Sequence, residues 1–400
     1  MGARCVLGLG GTVDYEVVWD TAVVEKLVAE HGIVCADLDA GRPIADERDL
    51  LCTMLAFARD GVGGERFVAS SDTVTAFARH FDVRVTLGGT CVRAAIAMDR
   101  VGLPSTVHLV SIDDTVRRLL PASTDYVCSA DEDSLDPHLV VQFPAGERVA
   151  LADGEITTPH ANRIIYVNDP PNRELVIDEG LGDEIAEADL VMLSGFNVIQ
   201  DRDVLESRLA DVRRHLARRT EDSLVYFEDA GYHVHEFSAR VRDALAGAVD
   251  VWAMNEDELQ GWLGRDVDLL DAGGVAAALY ELAEIVPSRV RMVHTKHWAI
   301  AHGDGAADLR AALRGGITMA AARYVHGDVF TVRELEAMRA ESPGPKAAAF
   351  AERLADVDPD LVCEAALSLA APSPTTIGLG DTFVGGVLTE LARGVGGGRR

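Results

Sequence analysis

The stretch TTIGLGDTF, Thr375 to Phe383, sets Gly378 and Gly380 before one aspartate, Asp381. An apolar series follows at Phe383, Val384, Val387, Leu388 and Leu391. That spacing predicts a buried helix starting at or just after Asp381. A glycine turn feeding a helix N-terminus aims unpaired backbone N–H groups at one point, where an anion is stabilised. An acid beside that point repels the anion and does nothing for stability. It suits chemistry in which the acid takes a proton from a hydroxyl while the hole holds a phosphoryl group in transfer. The same string also suits a plain turn with a capping aspartate, so the rest of the chain has to decide.

A second constellation is Asn255 with Glu258, an N-x-x-E set at a strand-to-helix junction. A spacing of three puts both on one helix face. Glu228 ends the preceding apolar strand. Two carboxylates and an amide at adjacent strand ends could hold Mg2+ largely through water. Acids at 256–258 equally suit an ordinary helix N-terminus. His294, Thr295 and Lys296 follow another apolar strand, where a histidine packs or hydrogen-bonds more often than it catalyses. No Ser–His–Asp order and no H-E-x-x-H string is present, so a triad hydrolase or a zinc protease has no support. Gly8, Gly10 and Gly11 miss the G-x-G-x-x-G spacing of a dinucleotide site. Asp14, just past the first strand, is placed either to bind a substrate hydroxyl or to close a turn.

The elements that must position these residues follow a strand–helix rhythm. Residues 4–9 read as a short buried strand, and 20–31 and 46–60 as helices. Residues 82–89 read as a strand ending on Gly88 and Gly89, and a helical pattern runs from Thr90 to Gly102. STVHLVSI returns as a strand. From about 122 to 180 short strands alternate with turns: HLVVQF, RVALA, NRIIYV and ELVID. From 188 onward buried strands and helices alternate, and VHTKHWAIAHG is a strand or hairpin. Residues 340–350 read as a loop. Alternating buried strands and helices mean an α/β architecture with a mostly parallel sheet, whose ligands sit at the strand carboxyl ends. Those ends carry Asp14, Gly88, Gly89, Gly195, Glu228, Asn255 and Thr295. The expected division is a large core of residues 1–12, 45–120 and 181–400, with a small β-rich unit of 13–44 and 121–180.

The net charge is −28, from 37 basic and 65 acidic residues. Such a field repels nucleic acid and anionic membranes. An anionic small substrate therefore needs a local basic pocket. No apolar run approaches the roughly 20 residues that span a bilayer, and glycines and Asp14 interrupt the N-terminal apolar segment, so a cytoplasmic protein is expected. The six cysteines are scattered with no C-x-x-C pair, which signals neither a zinc site nor a disulfide framework.

Together these pieces resemble the ADP-dependent glucokinase and phosphofructokinase family, within the ribokinase-like superfamily. The resemblance is carried by TIGLGDTF, by NEDE as the family's N-x-x-E, by LSGF at 193–196, by VHTK, by ANRIIYVNDPPN and by the LGG pair before a helix. They stand in family order and cover most of the chain. The resemblance implies a ribokinase-like three-layer core with a small β-rich lid that closes over a sugar and excludes water. It implies Mg-dependent transfer of a phosphoryl group from ADP to a hydroxyl of a sugar or sugar phosphate, releasing AMP. Asp381 would then be the base, with the backbone of Gly378, Leu379 and Gly380 as anion hole. Glu258 and Glu228 would serve the metal, Glu258 by ordering its waters, and Asn255 would contact phosphate. Asp14, Gly88, Gly89 and Thr90 would hold the sugar, and Arg163 on the lid would be a further polar contact. His294, Thr295 and Lys296 would line the nucleotide. Three positions depart from the family pattern: Tyr226 replaces the histidine of H-x-E, while Thr12 and Thr90 replace amides near the sugar. An ATP-dependent kinase of the same superfamily, acting on a sugar or nucleoside, and a silent sugar- or nucleotide-binding homologue are the alternatives.

Overall fold

The computed structural model describes residues 2–369 and 377–397, so Thr375 and Thr376 of the glycine string lie outside the described residues. The first half of the chain carries β1 (Cys5–Leu7), β2 (Thr12–Val17), β3 (Gly64–Phe67), β4 (Val83–Gly88), β5 (Ser105–Leu109) and β6 (Thr124–Cys128). It continues with β7 (His138–Phe143), β8 (Arg148–Ala150), β9 (Glu155–Thr157) and β10 (Asn162–Val167). The second half adds β11 (Leu190–Leu193), β12 (Leu224–Glu228), β13 (Val251–Asn255), β14 (Val290–His294), β15 (Trp298–Gly303) and β16 (Val362–Ala365).

Nine strands form one sheet in the order β16-β15-β14-β13-β12-β11-β1-β5-β6. Every pair from β14 to β6 is parallel. β14 and β15 form the hairpin that VHTKHWAIAHG allowed, and β16 closes that edge antiparallel. β11 and β14 are buried along their whole length, as strands covered by helices on both faces must be. Two apolar clusters cover the two faces.

Five strands form a second sheet, β3-β10-β7-β2-β4, with its own core. It takes Gly64–Phe67 and Val83–Gly88 from ahead of the strand-rich stretch, while Thr124–Cys128 goes to the edge of the large sheet. ELVID is not a strand. Asp169 caps a short helix, Pro170–Glu174, and Leu175 turns out of it at φ 43°, so the two prolines override the apolar alternation. Likewise Pro345 opens the helix Pro345–Val357 where a loop was expected.

The chain crosses between the sheets twice near one place. Residues 8–11 lead from β1 to β2, and Gly89 leads from β4 into the helix Thr90–Asp99. Thr12 and Gly88 are register partners, so the crossings lie side by side. The helix Leu379–Gly397 begins two residues before Asp381 and packs on the helices Arg310–His326 and Thr90–Asp99. Glycines make those crossings close. A Cβ on Gly386 would run into the Gly315 backbone, and one on Gly385 would lie 2.7 Å from the Ala97 methyl. Among the described residues no helix is long and apolar enough to cross a membrane.

This contact yields a stability test. Gly386→Ala adds one methyl against backbone that cannot rotate away, and should cost roughly 1–3 kcal/mol. Chemical denaturation measures it, and an unchanged midpoint would refute the close crossing.

Candidate active site

The site is built at the double crossing. Gly10 takes φ 75°, and a Cβ there would strike the Asn172 amide. Asn172 Nδ2 donates to the Gly11 carbonyl at 2.9 Å and to Asp169 Oδ2 at 2.7 Å. His138 Nε2 lies 3.1 Å from the same carboxylate. This scaffold fixes the entry to β2 and sets Asp14, which is buried. Thr12 Oγ1 donates to Asp14 Oδ1 at 2.7 Å, and Arg93 Nη2 donates to Oδ2 at 2.8 Å. Gly88 lies against this group; a Cβ there would be 2.5 Å from Asp14 Oδ2. Gly89, at φ 85°, passes close to Gly11.

The glycine turn at Gly378 faces this group. The Thr382 N–H closes a helical bond on the Gly378 carbonyl at 3.0 Å. The N–H groups of Leu379, Gly380 and Asp381, in the first turn, have no acceptor within the helix. Arg93 Nε sits 3.8 Å from Asp381 Oδ2. Gly378 has φ 65°, and a Cβ on it would be 2.8 Å from Arg93 Cδ. Arg323, buried on the helix Arg310–His326, donates Nε to the Ile377 carbonyl at 2.9 Å. Two buried arginines thus brace the turn. Burial works against the charge of Arg93, but Asp14, Asp381 and Glu16 outweigh it and raise its pKa.

Between the two groups opens a cleft of about 290 Å³. Asp14, Gly89, Thr90, Arg163, Gly378 and Asp381 line it, with Gly88 beneath Asp14. The cleft also takes Arg93, Glu65, His138, Asp169, Asn172 and Arg173, none of which the sequence reading assigned to a site. A signal existed for Arg93, the lone charge in the otherwise apolar TCVRAAIAM. Asp169 and Asn172 lie inside ANRIIYVNDPPN. Glu65 and Arg173 carry no local signal. Glu65 also pairs with His233 Nε2 at 3.1 Å, which joins β3 of the small sheet to the loop after β12.

The remaining site residues gather at the carboxyl ends of β12, β13 and β14. Tyr226 donates its hydroxyl to Glu228 Oε2 at 2.8 Å, and His294 Nε2 lies 2.9 Å from Oε1. The His294 ring stacks on Phe383, with centroids 4.4 Å apart, and so touches the Asp381 helix. Asn255 and Glu258 form a reciprocal cap. Asn255 Oδ1 accepts from the N–H groups of Asp257 and Glu258 at 2.6 and 3.3 Å, and Glu258 Oε2 accepts from the Asn255 N–H at 2.8 Å. The bland capping role is therefore filled, and it leaves the Asn255 amide nitrogen outside the cap. Thr295 Oγ1 accepts from the N–H groups of His297 and Trp298, which closes the β14–β15 turn, and Lys296 stands exposed at its tip.

Burial pushes the Glu258 carboxyl up to about 7, the Asn255 N–H opposing and the nearby Glu228 and Asp229 adding to the rise. Asp229 is pushed up to about 6 by burial, although Trp262 and Trp252 both donate to it. Among the described residues no three His, Cys, Asp or Glu side chains are arranged to hold a metal directly. Glu228 has both oxygens engaged by protein donors, which fits that finding.

Comparison with known proteins follows this geometry. Residues 3–388 match the model of the ADP-specific phosphofructokinase/glucokinase conserved region. No curated protein matches the sequence significantly. The fold resembles a phosphofructokinase from Pyrococcus horikoshii OT3 solved with AMP, at 15% identity, 99% coverage of both chains and a TM-score of 0.81. It also resembles a last common ancestor of ADP-dependent phosphofructokinases from Methanosarcinales, at 16% identity, 98% and 94% coverage and TM-score 0.75. An ADP-dependent kinase in complex with fructose-6-phosphate and ADPβS matches at 14% identity, 97% and 93% coverage and TM-score 0.72.

Two outcomes are expected of this site. Gly378→Ala forces a left-handed alanine against Arg93 and should cut kcat roughly 10²-fold, since misplacing a catalytic group by about 1 Å costs that much. A variant that turns over normally would show that the turn has no part in the reaction. Glu258 gives a pH test. Its folded pKa of about 7 lies above the 4.5 of a free glutamate, so between those values the folded chain holds a proton the unfolded chain has lost. Stability then falls as pH rises through that window. Without metal or nucleotide, Glu258→Gln should gain on the order of 2 kcal/mol at pH 8 and nothing at pH 4. Equal melting shifts at both pH values would rule out that ionisation as the cause.

Proposed function

The chain belongs to the ADP-specific phosphofructokinase/glucokinase family, and we propose that it transfers a phosphoryl group from ADP to a hydroxyl of a sugar or sugar phosphate, releasing AMP. The observation that carries this reading is the opposition of Asp14 and Asp381 across one cleft, with Arg93 joined to both at 2.8 and 3.8 Å. Asp14, Thr90 and the backbone at Gly88 and Gly89 hold the acceptor. Asp381 takes the proton of the acceptor hydroxyl as its oxygen bonds to the β-phosphorus. The bond from that phosphorus to the bridging oxygen breaks, and AMP leaves with the electron pair. The N–H groups at the start of the Asp381 helix, with the turn at Gly378, carry the charge on the moving phosphoryl group. Asn255, His294, Thr295 and Lys296 line the nucleotide side.

Arg163 and Arg173 bring two more positive charges into the cleft of a chain with net charge −28. They favour an acceptor that carries its own phosphate, of the hexose phosphate kind. The small sheet acts as the lid. Glu228 and Glu258 repel each other, and Mg2+ held through water would relieve that repulsion while leaving their protein hydrogen bonds in place. When bound, Mg2+ supplies positive charge against the phosphates. Glu258 would order its waters, and Glu228, held by Tyr226 and His294, would keep a fixed orientation.

The test is AMP formation from ADP, against ATP as donor, over hexoses, hexose phosphates, pentoses and nucleosides. Asp381→Asn should lower kcat about 10²–10⁴-fold with an unchanged melting curve. Turnover with ATP alone would overturn the donor, and a fully active Asn variant would overturn the base.

A further inference from the structure

Behind the braced turn lies a second cavity, of about 160 Å³, walled by β4 and the helices Thr90–Asp99 and Arg310–His326. Arg93, Arg100 and Arg323 line it, with Asp328 as the one carboxylate. Arg93 and Arg323 are 5% and 4% exposed. Arg323 spends Nε on the Ile377 carbonyl and Nη1 on Asp328, while its Nη2 is buried with no partner among the described residues. The Nε of Arg100 is buried without a partner as well. Asp328 is shared between Arg323 and Arg84, so its charge is divided. Arg93 is balanced by Asp14, Glu16 and Asp381, none of which lines this cavity. Buried cationic donors without partners are costly, and an anion is what satisfies them. Burial, with the charge of Arg93 beside it, pushes Arg323 down to about 10, the direction expected of a guanidinium short of counter-charge.

We propose that this cavity binds a phosphate-type oxyanion, separately from the reaction cleft. Arg323 Nη2 and Arg100 Nε offer the donors that such an ion takes, and forked guanidinium geometry suits it. The site couples to the cleft by construction. Arg93 lines both cavities, and Arg323 holds the Ile377 carbonyl that leads into the catalytic turn. An ion bound there draws on the two side chains that brace Gly378, so it changes turnover without competing for the acceptor.

Calorimetry on the full chain, at ionic strength fixed with chloride, tests the binding without requiring turnover. Inorganic phosphate and glycerol 3-phosphate are titrated in parallel, so the tighter arm tells a free ion from the phosphate of a metabolite. Arg100→Gln should weaken binding about tenfold or more, since it removes a charge-assisted contact. Arg100→Lys should fall between the two and carries the test if the Gln variant does not fold. Arg163→Gln, which alters only the reaction cleft, should leave the affinity unchanged. Loss of binding in Arg163→Gln with full binding in Arg100→Gln would place the ion in the cleft and overturn the proposal, as would no heat from either anion.

Discussion

A buried guanidinium has to be paired, and Arg93 is paired with carboxylates from two different parts of the chain. Asp14 comes from the crossing into the small sheet and Asp381 from the first turn of a helix on the large one. Removing Asp14, the buried partner at 2.8 Å, would strand that charge in the interior, a loss on the order of 3–5 kcal/mol. The pairing therefore fixes the distance between Asp14 and Asp381. It also explains the glycines around it. Gly88 leaves space for the Asp14 carboxylate and Gly378 for the Arg93 stem, and a methyl at either place would push the ion pair apart.

The helix that carries Asp381 is held as tightly from its other sides. Its glycines press onto Gly315 and the Ala94–Ala97 segment, and Phe383 stacks on His294. His294 in turn sits on Glu228, at the carboxyl ends where the second carboxyl cluster gathers. The two halves of the site are thus joined through a ring stack. A rigid link of this kind keeps the Asp381 helix in register with the carboxyl cluster at the ends of β12 and β13.

Much of this was legible in the sequence, for identifiable reasons. Parallel strands buried on both faces appear as unbroken apolar runs, so β11 to β14 and their order of helices could be read directly. Glycines at 88, 89 and 378 mark close approach whichever fold contains them. The small sheet was harder, because its strands are short and come from separated parts of the chain; GERF at β3 has no alternation to find. ELVID misled because apolar alternation was read across the end of a proline-started helix. Arg93 was overlooked because helical spacing was read from its apolar neighbours, and its partners lie 79 and 288 residues away, at Asp14 and Asp381. Side-chain pairing over such separations leaves no local pattern.

The three departures from the family pattern can be judged by what they preserve. Thr12 keeps a donor on Asp14, with a shorter reach than an amide. Thr90 keeps a hydroxyl at the start of its helix, on the cleft wall. Tyr226 keeps a donor on Glu228 and, unlike histidine, brings no positive charge. His294 lies against the same carboxylate, and Glu228 and the nearby glutamates outweigh its burial and raise its pKa. A chain drifting away from catalysis has no reason to retain donors on the same carboxylates by different chemistry. The substitutions leave donors on Asp14 and Glu228 and leave Asp381, Asn255 and Glu258 in place.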